Sequence, residues 1–213
     1  MPRRLPAVER WRDIAARAAE RYSVNVADVL ATVHRESRGD PDAVSKTGYR
    51  GLGQIGRAAL ASWRRMTGQS GEWPAAAMDP ATNLDVVAWY LSLARDVANA
   101  LGYRRLENVA MRAAIYGWGP GNVKNAVRRW QHERKTDAVP TLGELRARFP
   151  DAGKPNIAPW RAAAAHLRLR RVYGAAAPPE PAAESGCCAI VPLAALGALA
   201  ALALAMIVAG VVS

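Results

Sequence analysis

The sequence is poor in cysteine and histidine, and this limits the chemistry open to it. Its two cysteines, Cys187 and Cys188, are adjacent, so they provide neither a disulfide framework nor the spacing of a metal site. The three histidines, His34, His132 and His166, are far apart in the chain, and each is expected at the surface or at its boundary. Zinc and thiol enzymes are therefore disfavoured, and no metal or organic cofactor is expected.

Acidic residues are scarce relative to basic ones. Eighteen Asp and Glu residues stand against 29 Lys and Arg residues, which gives a formal net charge of +11. All of them precede Ser185, so the first part of the chain carries the whole excess. Such a surface favours anionic partners, namely nucleic acid, phospholipid head groups or an acidic polymer such as a cell wall. The alternative explanation of the positive charge is that the Arg- and Ala-rich composition reflects coding bias and a solvated surface, with no anionic partner.

The N-terminal segment lacks the apolar run of a secretory signal peptide. Residues 1–22 contain several basic residues and predict an amphipathic helix instead. The expected apolar face of that helix consists of Val8, Trp11, Ile14, Ala15 and Ala18.

Residues 189–212 contain no charged side chain, and a helix that spans a bilayer needs roughly 20 apolar residues. We therefore predict one C-terminal transmembrane helix over 189–212, with the lipid bilayer as its partner. The Pro- and Ala-rich segment 174–188 is expected to be a linker. Basic residues precede the span and none follows it, which weakly favours a cytoplasmic N-terminal domain.

Between these ends the sequence predicts helices and little else. Asn25 is a suitable N-cap, and Asp28 stands three residues later as in a variant capping box. Apolar residues then recur at helical spacing until Gly39 and Pro41 end the helix. Residues 40–56 contain four glycines and no helical period, which predicts a loop or a short hairpin. Further helices are predicted over residues 57–66, 80–101, 106–116, 122–132, 141–144 and 160–173.

Glu36 is the first residue to suggest a reactive site. It follows Val33 by three residues and therefore lies on the edge of the apolar stripe of its helix. Partial desolvation favours the neutral form of a carboxyl group, and a protonated carboxyl group can donate a proton to a glycosidic oxygen. The glycine-rich loop that follows would let a polymer lie close to backbone amides. The alternative is a helix-end glutamate that points to water and pairs with Arg35 or Arg38.

Several short blocks then occur in order along the chain. They are "RES" at 35–37 with Ser45, "GLGQI" at 51–55, "NL" at 83–84 with "YL" at 90–91, and "AIYGWGPGNV" at 114–123. This series resembles the lytic transglycosylase family, in its soluble, goose-type-lysozyme-like branch, over about residues 22–130. The resemblance implies an all-α, lysozyme-like fold with a minor loop or hairpin region, as a catalytic domain over residues 1–173.

The resemblance also implies roles for individual residues. Glu36 matches the single catalytic acid and base of the family. Tyr116 matches a tyrosine that hydrogen-bonds to this glutamate and orients it. Ser45 and Gln54 match positions that line the sugar-binding groove. Without the ordered blocks, Ser45, Gln54 and Tyr116 would be an ordinary loop residue, a solvated amide and a core aromatic residue.

The chain departs from the family pattern at several positions around this groove. Gly51 begins the matching segment and is counted with the substrate-binding residues. Gly53 replaces the usual methionine and Gly56 an apolar residue, so the cleft floor is expected to be roomier there. Val87 stands where the central helix of the family usually has glycine. Trp118 falls in a changed turn, where it either offers a stacking surface for a sugar or packs inside.

The family cleaves the β-1,4 bond between N-acetylmuramic acid and N-acetylglucosamine in peptidoglycan. Two-carboxylate glycosidases need a second acidic residue nearby, and the nearest candidates here, Asp40 and Asp42, follow the end of the helix. One-carboxylate chemistry therefore fits better. The acetamido group of the substrate would stabilise the cation, and Glu36 would then deprotonate the C6 hydroxyl to give a 1,6-anhydro product. A lysozyme-type hydrolase, with water as the acceptor, stays open.

Peptidoglycan lies outside the cytoplasmic membrane, whereas the N-terminus shows no export signal. We therefore expect a phage protein, anchored in the virion membrane or in the inner membrane of the infected host, that acts in entry or lysis. A bacterial tail-anchored enzyme is the alternative. A non-catalytic wall-binding or membrane-scaffold protein also stays open. A basic nucleic-acid binder is less favoured, because the chain has no recognition helix or aromatic-basic motif, so no specific nucleic acid is expected.

Overall fold

A computed structural model of the protein describes residues 4–145, 148 and 159–174. This part of the chain forms ten helices, and its only β-structure is two isolated bridges in the loop between α3 and α4. The helices are α1 Pro6–Glu9, α2 Arg12–Arg21, α3 Val26–Glu36, α4 Arg57–Thr67, α5 Ala75–Met78, α6 Pro80–Ala100, α7 Arg105–Trp118, α8 Pro120–Arg134, α9 Leu142–Leu145 and α10 Pro159–Val172. The all-α prediction is confirmed for these residues.

The membrane prediction falls on residues that the structure does not cover. The transmembrane segment 189–212 and all but the first residue of the linker 174–188 lie outside the described residues. Among the helices that are described, none combines the length and the apolarity that a bilayer crossing requires.

Capping interactions fix several helix ends close to the predicted positions. The Asn25 side chain accepts a hydrogen bond from the backbone N–H of Ala27 at 2.8 Å, as an N-cap residue does. A full capping box forms between Thr141 and Glu144, because each side chain accepts a hydrogen bond from the backbone N–H of the other. The predicted capping role of Asp28 is wrong, since its carboxylate pairs instead with cations from other helices.

The predicted N-terminal helix is divided into α1 and α2, with the turn between them at Arg10 and Trp11. The short helix α5, just before Asp79, was not predicted. Its four residues, Ala75–Met78, are too few to show a helical period. The side chain of Asp79 then caps α6 by accepting a hydrogen bond from the backbone N–H of Thr82 at 2.8 Å.

Two main apolar clusters form the core, and α6 contributes to both. The first half of α6 packs with α2, α3, α4 and α5, and the second half packs with α7 and α8. Helix α10 packs against both α7 and α3. At its end, the Tyr173 hydroxyl lies 2.7 Å from His34 Nδ1, while Arg12 Nη2 donates to the Tyr173 carbonyl at 3.2 Å. Helix α3 thus packs against α1 and α2 on the N-terminal side of the chain and against α10 at its C-terminal side.

Candidate active site

Glu36 is the last residue of α3, where the loop that leads to α4 begins. Its side chain is 25% exposed, so it lies neither in the core nor in open solvent. Arg35 Nη2 and Nε both donate to Glu36 Oε1, at 2.7 and 3.0 Å. The Arg35 side chain is itself only 14% exposed, and its guanidinium lies 5.6 Å from the centroid of the Tyr116 ring. The pairing with Arg35 that the sequence suggested is thus present, but it occurs at a partly buried site.

Tyr116, on α7, is packed beside this ion pair. Its hydroxyl donates to the carbonyl oxygen of Gly53 at 2.8 Å, and its ring meets that of Tyr90 edge to face at 5.4 Å. Burial, followed by the nearby charge of Glu36, raises the pKa of Tyr116 well above its usual value. The resemblance implied a hydrogen bond from Tyr116 to Glu36. Because the one phenolic proton goes to Gly53, Tyr116 orients the loop and contributes to the surroundings of Glu36 without donating to it.

Backbone amides of the loop are directed into the protein. The N–H groups of Gly51, Gly53 and Gln54 donate respectively to the Ala43 carbonyl, to the Asn83 side chain and to the Gly51 carbonyl. These three amides are therefore engaged within the protein, and the close approach of a polymer to the loop backbone stays a prediction. Gly51 has φ +70°, and an added Cβ would lie 2.4 Å from the carbonyl oxygen of Ala77, so the glycine permits close packing.

Asn83 is the side chain that fixes this loop to α6. It is fully buried, its Oδ1 accepts from the Gly53 amide at 2.8 Å, and its Nδ2 donates to the carbonyls of Arg50 and Ala77 at 3.1 and 2.6 Å. Its place in the "NL" block is the signal that could have identified it, since an asparagine at the start of a buried helical face needs hydrogen-bond partners.

The prediction of a roomier cleft floor is wrong. A Cβ on Gly53 would lie 2.1 Å from Val87 Cγ2, so the valine fills the space that a larger residue 53 would need. Val87 is fully buried. A Cβ on Gly56 would lie 2.9 Å from Tyr49 Cε1, so that space is filled as well. The two departures at residues 53 and 87 thus compensate each other. The helix has a larger side chain than the family pattern and the loop a smaller one, so the space between them stays filled.

The other predicted groove residues have structural contacts of their own. Ser45 Oγ accepts from the backbone N–H of Tyr49 at 3.0 Å, within a tight turn. Gln54 Nε2 donates to the carbonyls of Ala43 and Gly51 at 3.1 and 3.0 Å. Trp118, at the end of α7, is partly buried and packs against the cluster of α6, α7 and α8. The structure therefore brings Ser45, Gln54, Gly51 and Tyr116 into one loop-centred region, whereas Trp118 packs against the second core cluster.

The two aspartates considered as a second carboxylate lie in the turn that follows α3. Asp40 and Asp42 are both exposed, and Asp40 Oδ1 accepts the backbone N–H of Asp42 at 2.9 Å within its own turn. This arrangement supports chemistry that depends on Glu36 as the single carboxyl group.

Sequence reasoning missed a buried cluster of charges at the other end of α3. Asp28 is 1% exposed, and its Oδ1 lies 2.6 Å from Arg170 Nε and 3.2 Å from His166 Nε2. Arg112 Nη1 lies 3.3 Å from Asp28 Oδ2. All four side chains are buried, so the expectation that His166 lies at the surface is wrong. No local pattern reveals this cluster, because its members come from three helices far apart in the chain.

Burial and pairing act against each other in this cluster. Burial alone would raise the pKa of Asp28, but the hydrogen bond from His166 and the neighbouring positive charges outweigh it and hold that pKa below its usual value. Burial lowers the pKa of His166, and the charges of Arg35 and Arg112 act in the same direction, although Asp28 opposes them.

Comparison with known proteins gives a consistent result. Residues 13–139 match the family model of the Transglycosylase SLT domain. One similar solved structure is the 70 kDa soluble lytic transglycosylase Slt70 of Escherichia coli, with 21% identity and a TM-score of 0.56. Another is the lytic transglycosylase Slt of Pseudomonas aeruginosa, in an inactive mutant with glutamine in place of one glutamate, with 20% identity and a TM-score of 0.52. No curated protein matches the chain.

The solved structures and the family model cover different shares of the chain. Each structural match covers 76% of this chain, which in turn spans only 24% of either solved protein. At this level of identity the two structures establish the fold. The family model covers more than half of the chain and includes Glu36, the loop around Gly53 and Tyr116. The chain therefore belongs to the Transglycosylase SLT domain family.

Proposed function

We propose that this chain is a peptidoglycan lytic transglycosylase. It cleaves the β-1,4 bond between N-acetylmuramic acid and N-acetylglucosamine and forms 1,6-anhydro-N-acetylmuramic acid. The proposal depends mainly on Glu36, a partly buried carboxyl group at a helix end, held by Arg35 beside the partly buried Tyr116. Family membership supports it, as does the inactivity of the Pseudomonas aeruginosa relative when glutamine replaces one of its glutamates.

In the first chemical step, protonated Glu36 donates its proton to the glycosidic oxygen as the bond from that oxygen to the anomeric carbon breaks. The carbonyl oxygen of the substrate's own 2-acetamido group bonds to the anomeric carbon and carries the positive charge. This internal nucleophile replaces the second carboxylate of other glycosidases. The exposed, turn-bound positions of Asp40 and Asp42 support this assignment.

In the second step, the Glu36 carboxylate accepts the proton of the C6 hydroxyl, and O6 attacks the anomeric carbon. The bond from the acetamido oxygen to that carbon breaks, which restores the acetamido group and leaves the 1,6-anhydro ring. Glu36 ends the cycle protonated, as it began. The reaction consumes no water, and the same carboxyl group acts first as acid and then as base.

Arg35 has to release Glu36 Oε1 before Glu36 can act in this cycle. Both of its donors engage Glu36 Oε1, which is the arrangement of an ionised carboxylate. We propose that binding of the glycan strand exchanges this contact, so that Glu36 can carry a proton toward the glycosidic oxygen. Arg35 then keeps its place over the Tyr116 ring, where the aromatic face is favourable for a cation.

We also propose that the apolar run 189–212 anchors the protein in a bilayer, either the virion membrane or the inner membrane of the infected host, and that it acts in phage entry or lysis. The support is the uncharged run of the sequence and the net charge of +11, which suits anionic surfaces and an acidic wall polymer.

The decisive experiment is to incubate the full chain, purified in mild detergent, with peptidoglycan and to identify the products by mass spectrometry. Products that end in 1,6-anhydro-N-acetylmuramic acid support the proposal. Products with reducing ends identify a lysozyme-type hydrolase instead. If no soluble fragments appear while the protein still sediments with the wall, the chain is a non-catalytic wall-binding protein and the proposal is wrong.

A further inference from the structure

Tyr49 takes no part in the core, although it is a large aromatic residue. It is 48% exposed, and it is the exposed aromatic residue among the side chains that the structure describes. A single exposed apolar residue is ordinary on a protein surface. Tyr49, however, is held at a defined place in the loop that also carries Ser45 and Gln54, and this loop follows Glu36 in the chain.

A tight turn fixes the backbone of Tyr49 without using its ring. The Tyr49 N–H donates to Ser45 Oγ at 3.0 Å, and the Ser45 N–H donates to the Tyr49 carbonyl at 2.9 Å. The Gly48 N–H donates to the Ser45 carbonyl at 3.0 Å. Ser45 therefore shapes the turn that presents Tyr49, which explains how Ser45 can serve the groove while its own hydroxyl is engaged.

The ring of Tyr49 is seated on Gly56. A Cβ on Gly56 would lie 2.9 Å from Tyr49 Cε1 and 3.3 Å from Cδ1, so this edge of the ring rests on bare backbone. The lack of a side chain at residue 56 makes room for the ring. Tyr49 thus provides apolar surface at the place where the family resemblance led us to expect an apolar side chain from residue 56 itself.

The loop connects Tyr49 with the Glu36 site. Gly56, on which the Tyr49 ring rests, lies three residues from Gly53, and the Gly53 carbonyl oxygen accepts the hydrogen bond of Tyr116. The Tyr90 ring lies 5.4 Å from that of Tyr116, which lies below the Arg35 guanidinium paired with Glu36. Tyr49 is the exposed aromatic residue on the loop side of the site.

We infer that Tyr49 is a stacking surface for an N-acetylhexosamine ring of the glycan strand, in the groove that leads to Glu36; this inference rests on the proposed function. A pyranose ring has a face of C–H groups and a polar rim. A half-exposed phenol ring has a flat apolar face and a hydroxyl at its edge, so the two surfaces are complementary. Because its backbone is fixed by the turn, Tyr49 loses little freedom when the sugar binds.

The test compares variants of the full chain in steady-state digestion of peptidoglycan strands. We expect Y49A to raise KM by about three- to tenfold, the factor that corresponds to a typical aromatic contact, and to leave kcat within about twofold. Y49F, which keeps the ring, should retain most of the affinity. Y49L, which has apolar bulk without a flat ring, should resemble Y49A. G56A should also raise KM, because its methyl group displaces the ring.

Val44 provides the matched control. It is exposed to 53% in the same loop but offers no ring, so V44A should leave KM unchanged. Equal denaturation midpoints of Y49A and the parent would show that the turn is intact. An unchanged KM in Y49A, or an equal rise in V44A and Y49A, would overturn the inference. Failure of the parent protein to release any fragment would instead overturn the proposed function, so the two failures are distinguishable.

Discussion

Helix α3 carries two carboxylates whose surroundings differ sharply. Asp28, near its start, is 1% exposed and lies within ion-pair distance of Arg112, Arg170 and His166. Glu36, at its end, has a side chain that is 25% exposed and pairs with its neighbour Arg35. The first carboxylate is surrounded by buried partners from other helices, whereas the second pairs with its neighbour in the same helix and is partly exposed.

This difference assigns the two residues different tasks. A buried carboxylate with cations on several sides joins helices together, and losing it would leave those cations without compensation. A carboxylate at a helix end, with one exchangeable partner, can release that partner and take up a proton. We therefore propose that Asp28 serves stability and that Glu36 serves the chemistry.

The largest expected effect on stability comes from D28N. It leaves the buried guanidinium groups of Arg112 and Arg170 without a counter-charge, which should lower the free energy of unfolding by roughly 3–5 kcal/mol. Chemical denaturation followed by helical circular dichroism measures this loss. The control D42N changes an exposed aspartate and should stay within about 0.5 kcal/mol of the parent. Equal midpoints of D28N and D42N would contradict the assigned role.

A smaller loss is expected from Y116F. Without its hydroxyl, the Gly53 carbonyl loses a donor, which should lower stability by about 1–3 kcal/mol because an acceptor is left unsatisfied. Loosening of this loop should also lower the rate of peptidoglycan cleavage. Y22F is the comparison, because the Tyr22 hydroxyl at the C-cap of α2 accepts its hydrogen bond from Trp63 Nε1 on α4 and not within the loop that carries Gly53. A rate loss in Y22F equal to that in Y116F would argue against a specific effect on the loop.

R35Q tests the ion pair at the other end of α3. An ion pair at a partly exposed site is worth less than about 1 kcal/mol, so R35Q should destabilise the protein much less than D28N does. The same denaturation assay gives both values. If the loss in R35Q equals that in D28N, the Glu36 site is as rigidly paired as the Asp28 cluster, and the contrast between the two ends of the helix disappears.

The smallest expected effect is a dependence of stability on pH. Burial lowers the pKa of His166 from its ordinary value of 6.5, so the unfolded chain takes up a proton first as the pH falls. The contribution of His166 is thus fully present above pH 6.5 and is lost below it. The pKa of Asp28 is also lowered, which adds a further loss below its ordinary value of 3.8. The free energy of unfolding should therefore fall between about pH 7 and pH 5.

H166Q is the control for this dependence, because glutamine can donate to Asp28 but does not titrate. Its free energy of unfolding should fall less steeply over the same pH range. The same slope in the parent and in H166Q would show that other groups cause the dependence.

Local sequence patterns were enough to predict most of the helices. The N-cap at Asn25, the capping box of Thr141 and Glu144 and the apolar periodicity all depend on residues within a few positions of each other. Glu36 and the ordered blocks around it could be identified for the same reason, since their spacing is visible in the chain. The catalytic role of Glu36 itself stays a prediction.

Long-range partners could not be predicted in this way. Asp28 and His166 are 138 positions apart, and nothing near Asp28 in the chain indicates that a histidine and two arginines converge on it. The match in side-chain size between Gly53 and Val87 is a similar case. In the sequence each residue is a separate departure from the family pattern, and only their contact shows that one compensates for the other. Such pairs depend on how α3, α6, α7 and α10 pack, and patterns within a few positions of the chain do not reveal that packing.

The most direct test of the division between Asp28 and Glu36 is the release of soluble 1,6-anhydro-muropeptides by the parent protein and by E36Q at equal concentrations of folded protein. The account predicts that E36Q keeps the denaturation midpoint of the parent and loses activity by about a hundredfold or more, since it removes the acid and base. Release of anhydro products by E36Q at the rate of the parent would contradict it.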